Sequence, residues 1–258
     1  MDLGIAGRKA IVCASSRGLG KACARALAEA GVELVINGRD RASLESTREE
    51  LAAIGVPVAA VVADVSTAEG QAALLEACPE PDILVNNNGG PPLKDFRELD
   101  REAMLAGVTM NMVVPIELVQ RTVDGMASRG FGRVVSITSG SVIAPIPGLD
   151  LSSGARAGLT AFLAGVARTV AGSGVTVNQL MPGAFDTERL RSNLAAGAKR
   201  TGKNVEEVAA SRAASIPARR FGSPEEFGAA CAFLCGRGAA YITGQSLLID
   251  GGAFPGAF

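Results

Sequence analysis

The 258-residue sequence has no histidine, no tryptophan and a single tyrosine, Tyr241. Without histidine there is no Ser-His-Asp or Cys-His catalytic unit, no imidazole-bound metal and no histidine general base. An excess of either charge is also missing: 25 Lys and Arg stand against 26 Asp and Glu, a formal net charge of -1. That balance gives no electrostatic reason to expect nucleic acid or an anionic membrane as a partner. The five cysteines, Cys13, Cys23, Cys78, Cys231 and Cys235, include no CxxC pair and lie in apolar segments, as buried thiols of a reducing compartment do. Cys231 and Cys235 are spaced to share a helix face, but two thiols without a third ligand make no zinc site. A basic-then-apolar leader and a run of about 18 apolar residues are both absent, so a cytoplasmic location is expected, without secretion or membrane spanning.

Glycine is plentiful (32 residues) and 48% of the chain is hydrophobic, much of it alanine, which implies elements packed closely through small side chains. The length and hydrophobic content suit one domain over residues 1–258. Short apolar runs at 10–14, 32–36, 56–62, 83–85, 134–138, 175–180 and 247–249 alternate with helical patterns at 18–30, 41–54, 66–78, 98–128, 152–171 and 224–234. The 98–128 helix is expected to be interrupted near Gly107. Strands that are apolar throughout and separated by helices indicate an α/β fold: one doubly wound parallel, Rossmann-like sheet covered on both faces. Residues 184–221 break the rhythm with two amphipathic stretches around Gly202, and are read as a lid on the substrate side.

Polar clusters follow the strands, at the edge where ligands bind in such sheets. After the first strand comes Cys13-Ala14-Ser15-Ser16-Arg17-Gly18-Leu19-Gly20, a tight turn into a helix that points backbone N–H groups at a phosphate. Then come Asn37-Gly38-Arg39, Asp64-Val65, Asn86-Asn87-Asn88-Gly89, Ser136 to Ser141, and Pro182-Gly183 with Thr187. Asn111, Asn178, Tyr241-Ile242-Thr243-Gly244 and Asp250-Gly251-Gly252 complete an ordered series. Over essentially its whole length the chain resembles the short-chain dehydrogenase/reductase family, in particular its 3-oxoacyl-carrier-protein-reductase-like branch. The resemblance implies that Ser15, Arg17, Gly18, Leu19 and Gly20 cradle a dinucleotide. It implies too that Asp64 and Val65 meet the adenine, that Asn87 and Gly89 belong to the NNAG motif, and that Asn178, Pro182, Gly183 and Thr187 flank the nicotinamide. Two departures stand out on this side: Ala14 where the family has glycine, with ordinary backbone angles expected of it, and Asn88 where the family has alanine.

The end of the second strand offers Arg39, with Arg17 across from it, and no carboxylate before Asp40. Two guanidinium groups suit a ribose 2′-phosphate, so NADP(H) is expected over NAD(H). Asp40 is free to cap the following helix.

The catalytic positions depart further. The family places a tyrosine thirteen residues after a serine, and a lysine four after that. Counting from Ser139 gives Ser152 and Arg156, an SxxxR in place of YxxxK, still on one helix face. The resemblance implies that Ser139 polarises a carbonyl, that Asn111 supports a water, and that Arg156 supplies the positive charge and holds the nicotinamide ribose. Serine is a far weaker acid than a phenol, and arginine exchanges no proton near neutrality. A water held by Ser152 is the expected donor. Asp150 and Asp186 are further candidate acids or bases, Tyr241 is assigned to packing or an interface, and Arg189 and Arg191 stand in the lid as groups for an acidic substrate or as a solvated face. The reading is an NADP(H)-linked oxidoreductase of a carbonyl or related acceptor with an altered proton relay. A degenerate dinucleotide-binding sensor or scaffold and a non-redox dehydratase or isomerase are the alternatives. A small-molecule substrate of unknown class, and a homotetramer or dimer by family resemblance, complete it.

Overall fold

A computed structural model describes residues 2–91 and 93–256. Seven strands form one parallel sheet in the order β3-β2-β1-β4-β5-β6-β7. They are β1 (Lys9–Val12), β2 (Glu33–Gly38), β3 (Val58–Val62), β4 (Ile83–Asn86), β5 (Gly132–Ile137), β6 (Val175–Pro182) and β7 (Ser246–Ile249). The helices are α1 (Gly18–Glu29), α2 (Arg41–Ala52), α3 (Ala68–Ala77), α4 (Arg101–Val108), α5 (Val114–Ser128), α6 (Asp150–Val170), α7 (Glu188–Thr201), α8 (Val205–Ser215) and α9 (Pro224–Cys235).

Alternate residues of each strand feed two cores. Ala10 and Val12 of β1 pack with Cys23 and Leu27 of α1, Leu44 and Leu51 of α2, and Phe227 and Cys231 of α9. Ile11 and Cys13 point the other way, toward Leu74 of α3, Leu118 of α5, and Leu159 and Leu163 of α6. Burial on both faces explains why the strands carry no polar alternation. Each fully buried leucine among these contributes about 1.5–3 kcal/mol. Small residues permit the close approach of α1 to α9, since a Cβ on Gly228 would run into the Ala22 carbonyl oxygen. The five thiols are all buried and unpaired.

The expected long helix over 98–128 begins at Arg101 and changes register in a π-turn, Thr109–Val113, two residues beyond Gly107. There the Asn111 Nδ2 donates to the Gly107 carbonyl at 3.2 Å. Gly107 itself marks where α4 meets α6, because a Cβ would lie 2.6 Å from Leu151. By length and mean hydropathy residues 101–128 pass as a membrane span, yet Val114, Leu118, Val119, Thr122 and Met126 bury one face on the sheet.

Residues 184–221 leave and rejoin the body beside a short pairing, in which Asp186 N–H donates to Gly222 O and Gly222 N–H to Ala184 O, and Ala218 N–H donates to Gly251 O. Phe185 anchors it edge-on against Phe227, at 5.2 Å between ring centres. Within it α7 buries Leu190, Leu194 and Ala198, while α8 buries nothing.

Candidate active site

The strand order reverses between β1 and β4, and the crevice beyond their ends holds the expected cofactor residues. The turn after β1 is tied from inside. Ser15 Oγ donates to Val12 O at 2.7 Å and accepts from Asn37 N–H at 3.0 Å, while Ser15 N–H donates to Asn37 O. Ser15 therefore shapes the turn and has no donor left over. Asn37 also sends its Nδ2 to the carbonyls of Val61 and Ala63 at 3.0 Å, tying β2 to the end of β3. Asn87 Nδ2 donates to Ala14 O at 3.0 Å.

Ala14 does not keep ordinary backbone angles: its φ is +45°, in the left-handed region. The methyl group costs about 1–2 kcal/mol there. Asn37 and Asn87, bonded to its N–H and C=O, hold the residue in place. Gly20 must lack a side chain, because a Cβ would collide with the Ala14 carbonyl and lie 2.7 Å from Asn87 Nδ2.

At the start of α1 no side chain caps the helix. By contrast, Asp40, Thr67, Asp100, Thr187, Asn204 and Ser223 cap α2, α3, α4, α7, α8 and α9. The first N–H groups of α1, at Gly18, Leu19 and Gly20, are thus left for an anion. Asp40 is committed to Ser43 N–H at 2.8 Å, so the carboxylate nearest the end of β2 serves a helix. Arg17 and Arg39 are each about three-quarters exposed and rest against Glu188 (3.5 Å) and Asp64 (3.7 Å). Solvated pairs of this kind are weak and easily exchanged for a phosphate. The Asp64 carboxyl is held below its usual range chiefly by the Ser66 backbone N–H and hydroxyl, and less by Arg39. Val65 is buried beside it.

Asn178 binds the loop before β7, through Ile242 O at 2.7 Å and Gln245 N–H at 3.0 Å, so it holds that loop to β6. Gly183 N–H pairs with Ile249 O, following Pro182 at the end of β6. Thr187 caps α7 and its methyl lies 4.0 Å from where a Gly18 Cβ would sit, so residues 184–221 begin against the glycine turn.

Arg156, buried on α6, reaches into the sheet end. Its Nη1 donates to Ile137 O at 2.6 Å, its Nη2 to Asn88 O at 3.4 Å and its Nε to Ser152 Oγ at 3.3 Å. No carboxylate pairs with it among the described residues. Burial, and then the charge of Arg189, push its pKa down to about 10, so it remains a cation at neutral pH. Arg189 stands over Gly90, with Nη2 3.0 Å from a Cβ position there, whereas Arg191 is spent on Asp186 at 2.9 and 3.0 Å. Asn88 Nδ2 donates to Met110 O at 2.9 Å, fastening the β4 end to the π-turn. Asn86 Oδ1 and Asn111 Oδ1 are buried without a donor among the described residues, and both residues line a pocket of about 10 Å3 beside Arg156, room for one water.

The second network is one that the sequence pattern did not single out. Ser139, after β5, bonds to Ser141, and Ser141 bonds to Ser153. Ser152 and Ser153, adjacent on α6, thus serve different partners. Of the other candidates, Asp150 is exposed at the first position of α6, and Asp186 is held below the usual carboxylate range by Arg191. Tyr241 is fully exposed at 102%, which corrects the packing half of its assignment and not the interface half: the turn before β7 carries its ring outward. A broad depression of about 550 Å3 lies at the opposite, strand-starting edge among Gly4, Arg8, Asp82 and Arg237, away from all of these groups.

A family profile described as enoyl-(acyl carrier protein) reductase matches residues 13–253. The NADPH-dependent reductase BacG of Bacillus subtilis is 31% identical, with 95% of this chain and 97% of that protein covered. The 3-oxoacyl-[acyl-carrier-protein] reductase FabG of Vibrio cholerae is also 31% identical, covering 98% and 99%. Among solved structures, L-sorbose reductase from Gluconobacter frateurii, complexed with NADPH and L-sorbose, superposes with a TM-score of 0.94 at 29% identity, covering 99% of this chain and all of that one.

Proposed function

The chain belongs to the short-chain dehydrogenase/reductase family, and from that premise we propose that it reduces a small carbonyl compound through a proton relay without the family's tyrosine. It is an oxidoreductase, and NADP(H) is its cofactor. The observation that carries the reading is the pairing of an intact nucleotide crevice with a buried, carboxylate-free guanidinium at its chemical end.

The residues present fit a dinucleotide. The uncapped N–H groups of Gly18, Leu19 and Gly20 hold the pyrophosphate. Arg17 and Arg39 take the 2′-phosphate, and Asp64 and Val65 the adenine. Asn87, Gly89, Pro182, Gly183, Thr187 and Arg156 surround the nicotinamide end. When bound, the reduced nicotinamide supplies a hydride. Ser139 and Ser152 offer hydroxyl groups to the substrate oxygen as charge develops on it, and Arg156 provides the fixed positive charge behind Ser152. Asn111 and Asn86 hold a water beside Arg156. Residues 184–221 act as the lid, which starts beside the glycine turn at Thr187. Arg189, near Arg156 and without a carboxylate partner among the described residues, favours an anionic substrate. Base chemistry at Asp150 or Asp186 has less support, the first being exposed and the second ion-paired. Family membership supports assembly as a homotetramer, with a dimer as the alternative, in the cytoplasm.

The test is NADPH consumption matched to alcohol formation over a panel of ketones, diketones and oxo acids. Tight NADPH binding with no turnover on any member would leave a nucleotide-binding protein without this activity.

A further inference from the structure

Three serine hydroxyls join the loop after β5 to the first turns of α6. Ser153 Oγ donates to Ser141 Oγ at 2.8 Å, and Ser141 Oγ donates to Ser139 Oγ, also at 2.8 Å. The Ser141 backbone N–H donates to that same Ser139 oxygen at 3.1 Å. A serine hydroxyl has two acceptor positions and one proton. Both acceptor positions of Ser139 are filled, and its proton has no acceptor among the described residues. Ser141 in the middle is buried, while Ser139 and Ser153 at the two ends are half-buried and reach solvent. Each hydroxyl proton turns about its C–O bond, so this row of oxygens can run from a surface hydroxyl through a sealed one to a Ser139 proton free for a substrate.

Ser152 lacks such a supply. Its oxygen accepts from Arg156 Nε, and no other hydroxyl or carboxyl among the described residues is bonded to it. A guanidinium does not give up its proton at neutral pH, so a proton lost from Ser152 would not be replaced from its one bonded neighbour.

We infer that Ser139 is the proton donor of the reaction, and that Ser141 and Ser153 are positioning residues that restore its proton from solvent. This rests on the carbonyl-reductase reading above. The substrate carbon accepts the hydride, the carbonyl π bond breaks, and its electron pair moves to oxygen. That oxygen takes the Ser139 proton as the Ser139 O–H bond breaks. Ser139 takes the Ser141 proton, Ser141 takes that of Ser153, and Ser153 is reprotonated from water. One hydride and one proton enter the substrate, which is reduced to the alcohol while the nicotinamide is oxidised.

The test compares Ser153→Thr with Ser153→Val, which fill the same space with and without a hydroxyl and share the same cost in a helix. The probes are ethyl acetoacetate and diacetyl with NADPH. The expected result is that Ser153→Thr stays near native, whereas Ser153→Val loses about tenfold or more in kcat with an unchanged Kd for NADPH. Rates in mixtures of light and heavy water should curve for native protein and Ser153→Thr, as several protons move together, and should become linear for Ser153→Val. In cofactor-free protein, NMR should show the Ser141 hydroxyl proton exchanging with water more slowly in Ser153→Val than in Ser153→Thr. If native protein turns over and the two variants match in all three measurements, the relay is wrong and the reductase reading stands. If native protein binds NADPH but oxidises none with either probe or with any oxo acid of the panel above, the reductase reading falls and takes Ser139's role as donor with it.

Discussion

Arg156 donates from Nε to Ser152 Oγ at 3.3 Å, one helical turn apart on α6. The i,i+4 spacing that would bring a tyrosine and a lysine together here brings a short hydroxyl and a longer cation together instead. Restoring the family pair should therefore restore the family's acid. Ser152→Tyr with Arg156→Lys should raise kcat for ethyl acetoacetate by about a hundredfold, within the range of general acid catalysis. Steady-state rates for native and double-variant protein check this; a variant that binds NADPH and reduces no faster than native would count against a missing acid as the handicap.

The buried guanidinium also predicts a pH dependence. Burial lowers its pKa from the usual guanidinium range to about 10, so the fold favours the neutral form more than the unfolded chain does. Its charge opposes folding at neutral pH, and that opposition fades as pH rises through about 10 toward the usual guanidinium range. With Arg156 in its proposed place at the nicotinamide end, NADPH binding should weaken over the same interval. Fluorescence titrations should show a Kd that is flat near neutrality and rises above pH about 10 in native protein, with no such rise in Arg156→Gln.

Ala14 offers a test of strain. Replacing it with glycine relieves about 1–2 kcal/mol of left-handed backbone cost, offset by about 0.5–1 kcal/mol of glycine's extra chain entropy. Ala14→Gly should raise the thermal midpoint by about 2–4 °C, measured by calorimetry or circular dichroism. A lower midpoint would mean that Asn37 and Asn87 hold the turn without strain.

At the adenosine end, Arg17→Ala and Arg39→Ala should each weaken NADPH by about tenfold and leave NADH nearly unchanged, because only the 2′-phosphate differs. Paired titrations at low salt, where exposed charges act most strongly, check this. Equal losses for both cofactors would place the two arginines elsewhere.

Much of this was legible before any coordinates. Uniformly apolar strands separated by helices required both sheet faces to be covered, and Ala10 and Ile11 do point into opposite cores. The polar residues after each strand located the crevice. Other features lay beyond the pattern. Successive helix residues point about 100° apart, so Ser152 and Ser153 cannot both meet Arg156, but sequence counting selects only the position matching the lost tyrosine. The serine relay depends on where the loop over 139–142 places Ser141, and no spacing rule reports that. Ala14 stands out in sequence as a residue where the family has glycine, but its left-handed φ is seen only in the structure. Gly107 marks an interruption of the 98–128 helix in the sequence, but that the break is a π-turn, with Asn111 Nδ2 bonded to the Gly107 carbonyl, is not reported by periodicity.

The central claim is that a chain without the usual phenol still moves a hydride from its nicotinamide cofactor to a carbonyl carbon. Single-turnover reaction with deuterium-labelled NADPH and diacetyl, followed by mass spectrometry of the product, tests it directly. One deuterium on the new alcohol carbon is expected for each NADPH oxidised. Bound NADPH that stays reduced, or alcohol formed without the label, would contradict it.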